Sequence, residues 1–221
     1  MKRYAIIILS VTLVAGAFTA PAIAGSGDKG KAKPATASGK TKAEKFKTMT
    51  FAGMVTSVGS DTLTFTSFKG NKAARRWVSE HPGNVTVNTS ASRFGGPSGL
   101  GKTLGDYRAG DGVVVLARAE GATVHARYVK LVLHAYEGTV ASYTAGSSVS
   151  VNWTDANRLA EVWMAANGSP NPVSAAITPS TKVRGDMPSG SDVEMRARPA
   201  ASGSGLEAVS VSGEESVVEA A

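Results

Sequence analysis

Phe51 to Val58 reads FAGMVTSV and Tyr136 to Tyr143 reads YEGTVASY, and placing the second under the first decides the fold. Phe51 falls on Tyr136, Gly53 on Gly138 and Val55 on Val140. Downstream, TLTFTSF (62–68) falls on SVSVNWT (148–154), Trp77 on Trp163, and SASRF (90–94) on PSTKV (179–183). AGDGVVVLARA (109–119) then falls on SGSDVEMRARP (189–199), and the closing RYVKLVL (127–133) on EAVSVSG (207–213). Residues 51–134 and 136–213 are therefore two copies of one unit. Each is about 80 residues long, enough for a small domain with a modest core.

Within each copy the apolar residues alternate. Leu63-x-Phe65, Val85-x-Val87, Val113-x-Val115-x-Ala117 and Val129-x-Leu131-x-Leu133 follow the two-residue period of half-buried strands. Gly59-Ser60-Asp61 and Glu120-Gly121-Ala122 are turn signals between consecutive strands. In the second copy the strands are expected near 136–143, 148–153, 173–178, 192–198 and 206–212. Between strands two and three each copy inserts a helical stretch. TDANRLAEVWMAANG offers Thr154 or Asp155 as N-cap, with Leu159, Val162, Trp163 and Ala166 on one face. Its counterpart, Asn71 to His81, places Ala74, Trp77, Val78 and His81 together. A helix covering the end of a barrel makes both tryptophans core residues. The expected fold is mainly β: two small five-stranded OB-like β-barrels in tandem, partly open, each with a short helix between strands two and three.

With Gly53-x-Val55, Thr89 and Gly110-Asp111-x-Val113-x-Val115 in place, the chain resembles a bacterial exported family of unknown function built from small OB-like barrels, often in tandem. The second copy is looser, since Ser191 stands where the motif has aspartate and Asp192 follows. The resemblance spans nearly all of 50–213, and its motifs are structural and imply no reaction. Read physically, Gly110 permits a turn with positive φ and Asp111 can accept backbone amides entering the strand.

The N-terminus, MKRYAIIILSVTLVAGAFTAPAIAG, has the layout of a secretory leader. Lys2 and Arg3 precede an apolar stretch from Ala5 to Phe18, and Ala22-Ile23-Ala24 is a small-x-small cleavage site. The apolar stretch is short for a membrane span. There is no cysteine, which excludes a disulfide framework and a lipid anchor on cysteine and fits bacterial export to the periplasm, cell wall or medium. On that view the sequons at Asn84, Asn88, Asn152 and Asn167 are chance matches. The expected organisation is a signal peptide (1–24), a basic disordered linker (25–48), a first barrel (49–134), a second barrel (135–213) and an acidic tail (214–221).

Charge is unevenly placed. The net +7 includes +5 in the linker, where seven lysines face Asp28 and Glu44. Residues 49–134 carry ten basic and five acidic side chains, and residues 135–221 carry five and ten. The halves therefore have opposite sign, which raises docking of one barrel on the other, or of neighbouring chains head to tail.

GGPSGLGKT (95–103) spells a phosphate-binding loop. A working one needs a buried strand before it and a helix after it. Here NTSASRF precedes and LGDYRAGDG follows, so a strand connection is expected, with no nucleotide or other cofactor. His81, His125 and His134 are not repeated between the copies and read as surface or rim positions, with no metal. Asp106, Asp111, Asp192 and Glu194 fall on turns and strand edges, where solvated charge is the expectation, and no nucleophile elbow is present. The sequence is thus read as an exported, non-enzymatic binding or adaptor module of the cell envelope. The second reading is a binder of anionic polymer or oligosaccharide, less readily of single-stranded nucleic acid, through Lys69, Lys72, Arg75, Arg76 and Arg93, with Phe68 and Trp77 beside them.

Overall fold

The computed structural model describes residues 48–203 and 205–213. The leader, all of the basic linker but its last residue, and the acidic tail lie outside the described residues. The first copy runs β1 (Met49–Val58), β2 (Thr62–Gly70), α1 (Lys72–Glu80), β3 (Val85–Asn88), β4 (Arg93–Gly95), β5 (Gly112–Glu120) and β6 (Thr123–Val132). The second runs β7 (His134–Thr144), β8 (Ser148–Ala156), α2 (Arg158–Ala166), β9 (Val173–Ala176), β10 (Lys182–Arg184), β11 (Asp192–Pro199) and β12 (Leu206–Gly213).

In the first copy the strand order is β3-β2-β1-β5-β6-β4, and a parallel pairing of β3 with β6 closes the barrel. β3 and β4 both run parallel to β6, β3 beside Val124 and His125, β4 beside Tyr128 to Lys130. They are two pieces of one third strand, broken at Thr89–Ser92, so the barrel is five-stranded. The second copy repeats this with β9 and β10 on β12. Both barrels are closed where a partly open one was expected. The alternating residues face inward: Leu63, Phe65, Val87, Val115 and Val129 are fully buried, and Phe51 meets Phe65 edge to face.

Backbone bonds confirm the repeat point by point. Gly110 donates to the Val55 carbonyl and Val55 to that of Asp111; Gly190 and Val140, and Val140 and Ser191, do the same. Gly53 and Gly138 sit at matching register shifts, where a Cβ would strike the carbonyl of Thr66 or Asn152. Asn71 and Asn157 cap their helices by accepting from Ala74 and Ala160. Their amides reach back to the Thr48 and Leu133 carbonyls, which pins each helix to the entry of its barrel.

Four expectations need correction. The α2 cap is Asn157, because β8 continues through Thr154 and Asp155 to Ala156. Ala160 and Met164 join Leu159 as its buried residues, and Ala166 is exposed. The closing strand aligns two residues further on, since Val113 opposes Leu131 as Val193 opposes Gly213, which places Val129 on Val211. A two-residue slip preserves the in-out alternation, so patterning could not detect it. Asp111 and His134 are fully buried, not solvated or at the rim.

Both belong to the junction of the barrels, where only Leu133 separates β6 from β7. Arg198 of β11 donates from Nη2 to Asp111 Oδ2 at 2.5 Å, from Nε to Oδ1 at 3.1 Å, and to the Asp106 carbonyl. Asp111 also accepts the Arg108 amide, the role anticipated for it. Arg108 in turn pairs with Glu207 at 2.7 Å. His134 donates from Nε2 to the Gly110 carbonyl, and its ring meets Trp163 edge-on. Pro199 lies against Gly110, Leu159 against Gly112, and Val209 against the first core. Barrel-on-barrel docking is thus present, but charge balance gave only half its chemistry. Arg108–Glu207 has the expected polarity, whereas Asp111–Arg198 reverses it.

Burial pushes the Asp111 carboxyl up from its ordinary value, and the Arg198 guanidinium works against that push. Removing one partner strands the other. Arg198→Ala is therefore expected to cost about 3–5 kcal/mol in chemical denaturation, with Asp111→Leu plus Arg198→Met recovering most of it. Burial also lowers His134 to about 4, outweighing the bond from Nε2 to the Gly110 carbonyl, which favours the protonated ring. The unfolded chain binds that proton near pH 6.5, so between about pH 6.5 and 4 it holds more protons than the folded one. Stability should fall on acidification through that window, by on the order of 3 kcal/mol, and His134→Phe should flatten its upper part.

Candidate functional site

The GGPSGLGKT loop is built as a strand connection. Gly95 ends the three-residue β4, a single 3₁₀ turn covers Pro97–Gly99, and another covers Leu104–Asp106. The amides that would face a phosphate are occupied: Asp106 Oδ2 accepts from Lys102 at 2.7 Å and from Thr103 at 2.9 Å. Thr103 and Asp106 form a reciprocal capping box. The Thr103 amide, helped by that of Lys102, holds the Asp106 carboxyl below its usual range. Beneath the loop, the buried Tyr107 hydroxyl lies 3.0 Å from the Val129 carbonyl and within reach of those of Gly95 and Gly101. A carboxylate of the chain itself stands where an anion would sit.

The five basic residues singled out from the sequence occupy two places. Lys69 ends β2, and Lys72, Arg75 and Arg76 lie on α1, all exposed. Arg76 pairs with Glu80 at 2.7 Å. Trp77 is half-buried against the core and stacked on His81 at 3.9 Å, and Phe68 is half-buried. Arg93 belongs elsewhere, opposite Tyr128 on the β4–β6–β5 face.

That face holds a cleft of about 830 Å³, lined by Arg93, Leu116, Arg118, His125, Arg127 and Tyr128 among others, and by none of Lys69, Lys72, Arg75 and Arg76. Register explains its composition. Leu116 opposes Tyr128 and Ala117 opposes Ala126, so Arg127 is the extra residue of a bulge. The bulge turns Arg127 and Tyr128 outward together, both exposed. Arg93, Arg118 and Arg127 have no ion-pair partner among the described residues, and Glu120 faces His125 at 3.8 Å. Sequence reasoning missed Arg118, Arg127 and Tyr128. The available signal was the break in alternation at Ala126-Arg127-Tyr128-Val129, where two polar residues interrupt the inward positions.

The second cleft, about 410 Å³, opens on the other barrel and carries opposite charge, with Glu137, Asp192 and Glu194 in its lining. Glu194 opposes Glu137, which opposes Asp155 on β8. Carboxylates side by side on neighbouring strands repel, and among the described residues only Glu194 of these has a cationic partner, Arg196 at 2.7 Å.

No family model matches the sequence, nor does any curated protein. Among solved structures the chain is similar to drosophila Unr CSD456, at 12% identity over 76% of this chain, with a TM-score of 0.25. The chain spans 63% of the length of that structure. No helix among the described residues is long and apolar enough to cross a membrane.

The loop geometry yields a test. Asp106→Ala should cost about 1 kcal/mol through the lost cap, and magnesium ATP should leave the melting temperature of the parent chain unchanged at any concentration, since only a ligand of the folded state raises it.

Proposed function

We propose that this chain is an exported, non-enzymatic binding protein of the cell envelope whose first barrel engages an anionic polymer or oligosaccharide. One observation carries the reading: the one-sided distribution of unpaired cations. Of the ten Lys and Arg side chains in 49–134, only Arg76 and Arg108 form ion pairs among the described residues. In the second barrel Arg158, Arg196 and Arg198 are paired and only Lys182 and Arg184 are not, among the described residues, so eight unpaired cations of the first barrel stand against two. Unpaired cations gathered on one barrel offer a polyanion favourable contacts with no internal ion pair to break. Export rests on the leader-like residues 1–24.

The test is a titration of the chain with dextran sulfate, read by melting temperature and by affinity against salt. Binding should raise the melting temperature at about 20 mM salt and weaken log-linearly as salt increases, while neutral dextran should leave it alone. Replacing Lys69, Lys72 and Arg75 with Ala should reduce affinity and shallow the salt slope by about two to three. These variants keep the basic linker, so any loss belongs to the barrel. If dextran sulfate has no effect at low salt, the polymer reading fails and a protein partner takes its place.

A further inference from the structure

We propose that the chain associates with copies of itself head to tail, the basic β4–β6–β5 face of one first barrel docking on the acidic turn region of another chain's second barrel. The argument comes from the junction inside one chain. There the second barrel presents its β11–β12 face to the Gly110-Asp111 turn of the first. By register, Arg198 and Glu207 are a facing pair on that hairpin, and the extra residue of its bulge is Val209. The same register in the first barrel makes Arg118 the counterpart of Arg198, His125 of Glu207 and Arg127 of Val209. The face used for docking in the second barrel therefore exists in the first, as the open basic cleft.

The receiving side is duplicated too. Gly190-Ser191 makes the same backbone pair with Val140 that Gly110-Asp111 makes with Val55. A Cβ at Gly110 would strike Pro199, whereas one at Gly190 would meet none of the described residues. Among the described residues, the turn that is covered in the first barrel is bare in the second. Ser191 cannot supply the carboxylate that Asp111 gives Arg198, but Asp192 beside it is exposed, has no ion-pair partner among the described residues, and lines the acidic cleft with Glu137 and Glu194. Repeating units that dock face to turn leave one face and one turn unfilled at the ends. Here those ends carry opposite charge, so a second copy fits both. The contact is heterologous and propagates into rings or open chains.

Sedimentation velocity on the full chain tests this. Association should grow with concentration, through tens to hundreds of micromolar for an interface of modest size, at about 20 mM salt, and should be largely lost by about 500 mM. Arg118→Ala with Arg127→Ala removes the basic end, and Asp192→Ala with Glu194→Ala removes the acidic one. Each double variant should sediment as a monomer under conditions where the parent assembles, at least tenfold weaker in self-affinity. Mixed together they retain one complete contact and should give a 1:1 dimer that grows no further. All four positions are solvent-accessible, so melting temperatures should stay within a few degrees of the parent. Monomers at every concentration in low salt would overturn the proposal, as would association that survives loss of the basic end. Dextran sulfate binding does not enter this readout, so the polymer reading stands or falls separately.

Discussion

The structure depends on a carboxylate and a guanidinium enclosed between two barrels. Asp111 immediately precedes β5 at the Gly-Asp turn, which bonds to β1 through Val55 on both sides. Arg198 reaches it from β11 with two hydrogen bonds and uses the same Nη2 for the Asp106 carbonyl. Desolvating both charges is expensive, and a well-packed apolar pair of similar volume would serve net stability as well. What an apolar pair would not do is fix an angle. The bidentate fork allows one orientation of the second barrel on the first. Because only Leu133 lies between β6 and β7, that orientation also determines where the two clefts face.

Much of the fold was legible because its signals are local and occur twice. Alternation placed Leu63, Phe65, Val113, Val115 and Val129 inward, and the paired glycines and helical stretches fixed the topology. What escaped was information that local pattern does not contain. The closing strand slipped by two because a two-residue shift leaves every side chain on its own face. The α2 cap was misplaced because Thr154 and Asp155 have good capping chemistry, yet both lie within β8, where Asp155 pairs with Glu137 of β7. The α1 cap, Asn71, stands at the equivalent point to Asn157, so the repeat itself held the better answer.

The site was less legible, and charge is the reason. Net charge by halves anticipated attraction between barrels, and Arg108–Glu207 has that polarity. It could not anticipate that the most buried pair takes its anion from the basic half and its cation from the acidic half. Composition records how many charges a segment carries, not which ones face each other. Similarly, Lys69, Lys72, Arg75, Arg76 and Arg93 looked like one patch because four are close in sequence, while β4 carries Arg93 to a different face. Arg118 and Arg127 become its neighbours only through the β5–β6 register and its bulge.

Comparing the copies position by position separates architecture from function. Positions that keep their chemistry hold each barrel shut: Gly53 and Gly138, Asn71 and Asn157, and the hydroxyl pairs Thr64–Thr86 and Ser150–Ser174. Several of the positions that change lie on the β5–β6 and β11–β12 faces and the turns beside them. Asp111 becomes Ser191, His125 becomes Glu207, Arg127 becomes Val209 and Tyr128 becomes Ser210. In the second barrel Val209 and Ser210 stand beside Arg198 and Glu207, and both charges are paired across the junction. In the first, two cations and an aromatic ring replace that lining, and they remain exposed to water. A face meant to be buried permanently would not carry Arg118 and Arg127 without carboxylates to meet them, since unpaired buried charge is among the costliest features a protein can hold. Any occupant that covers the first barrel's face would therefore have to bring the opposing charge with it.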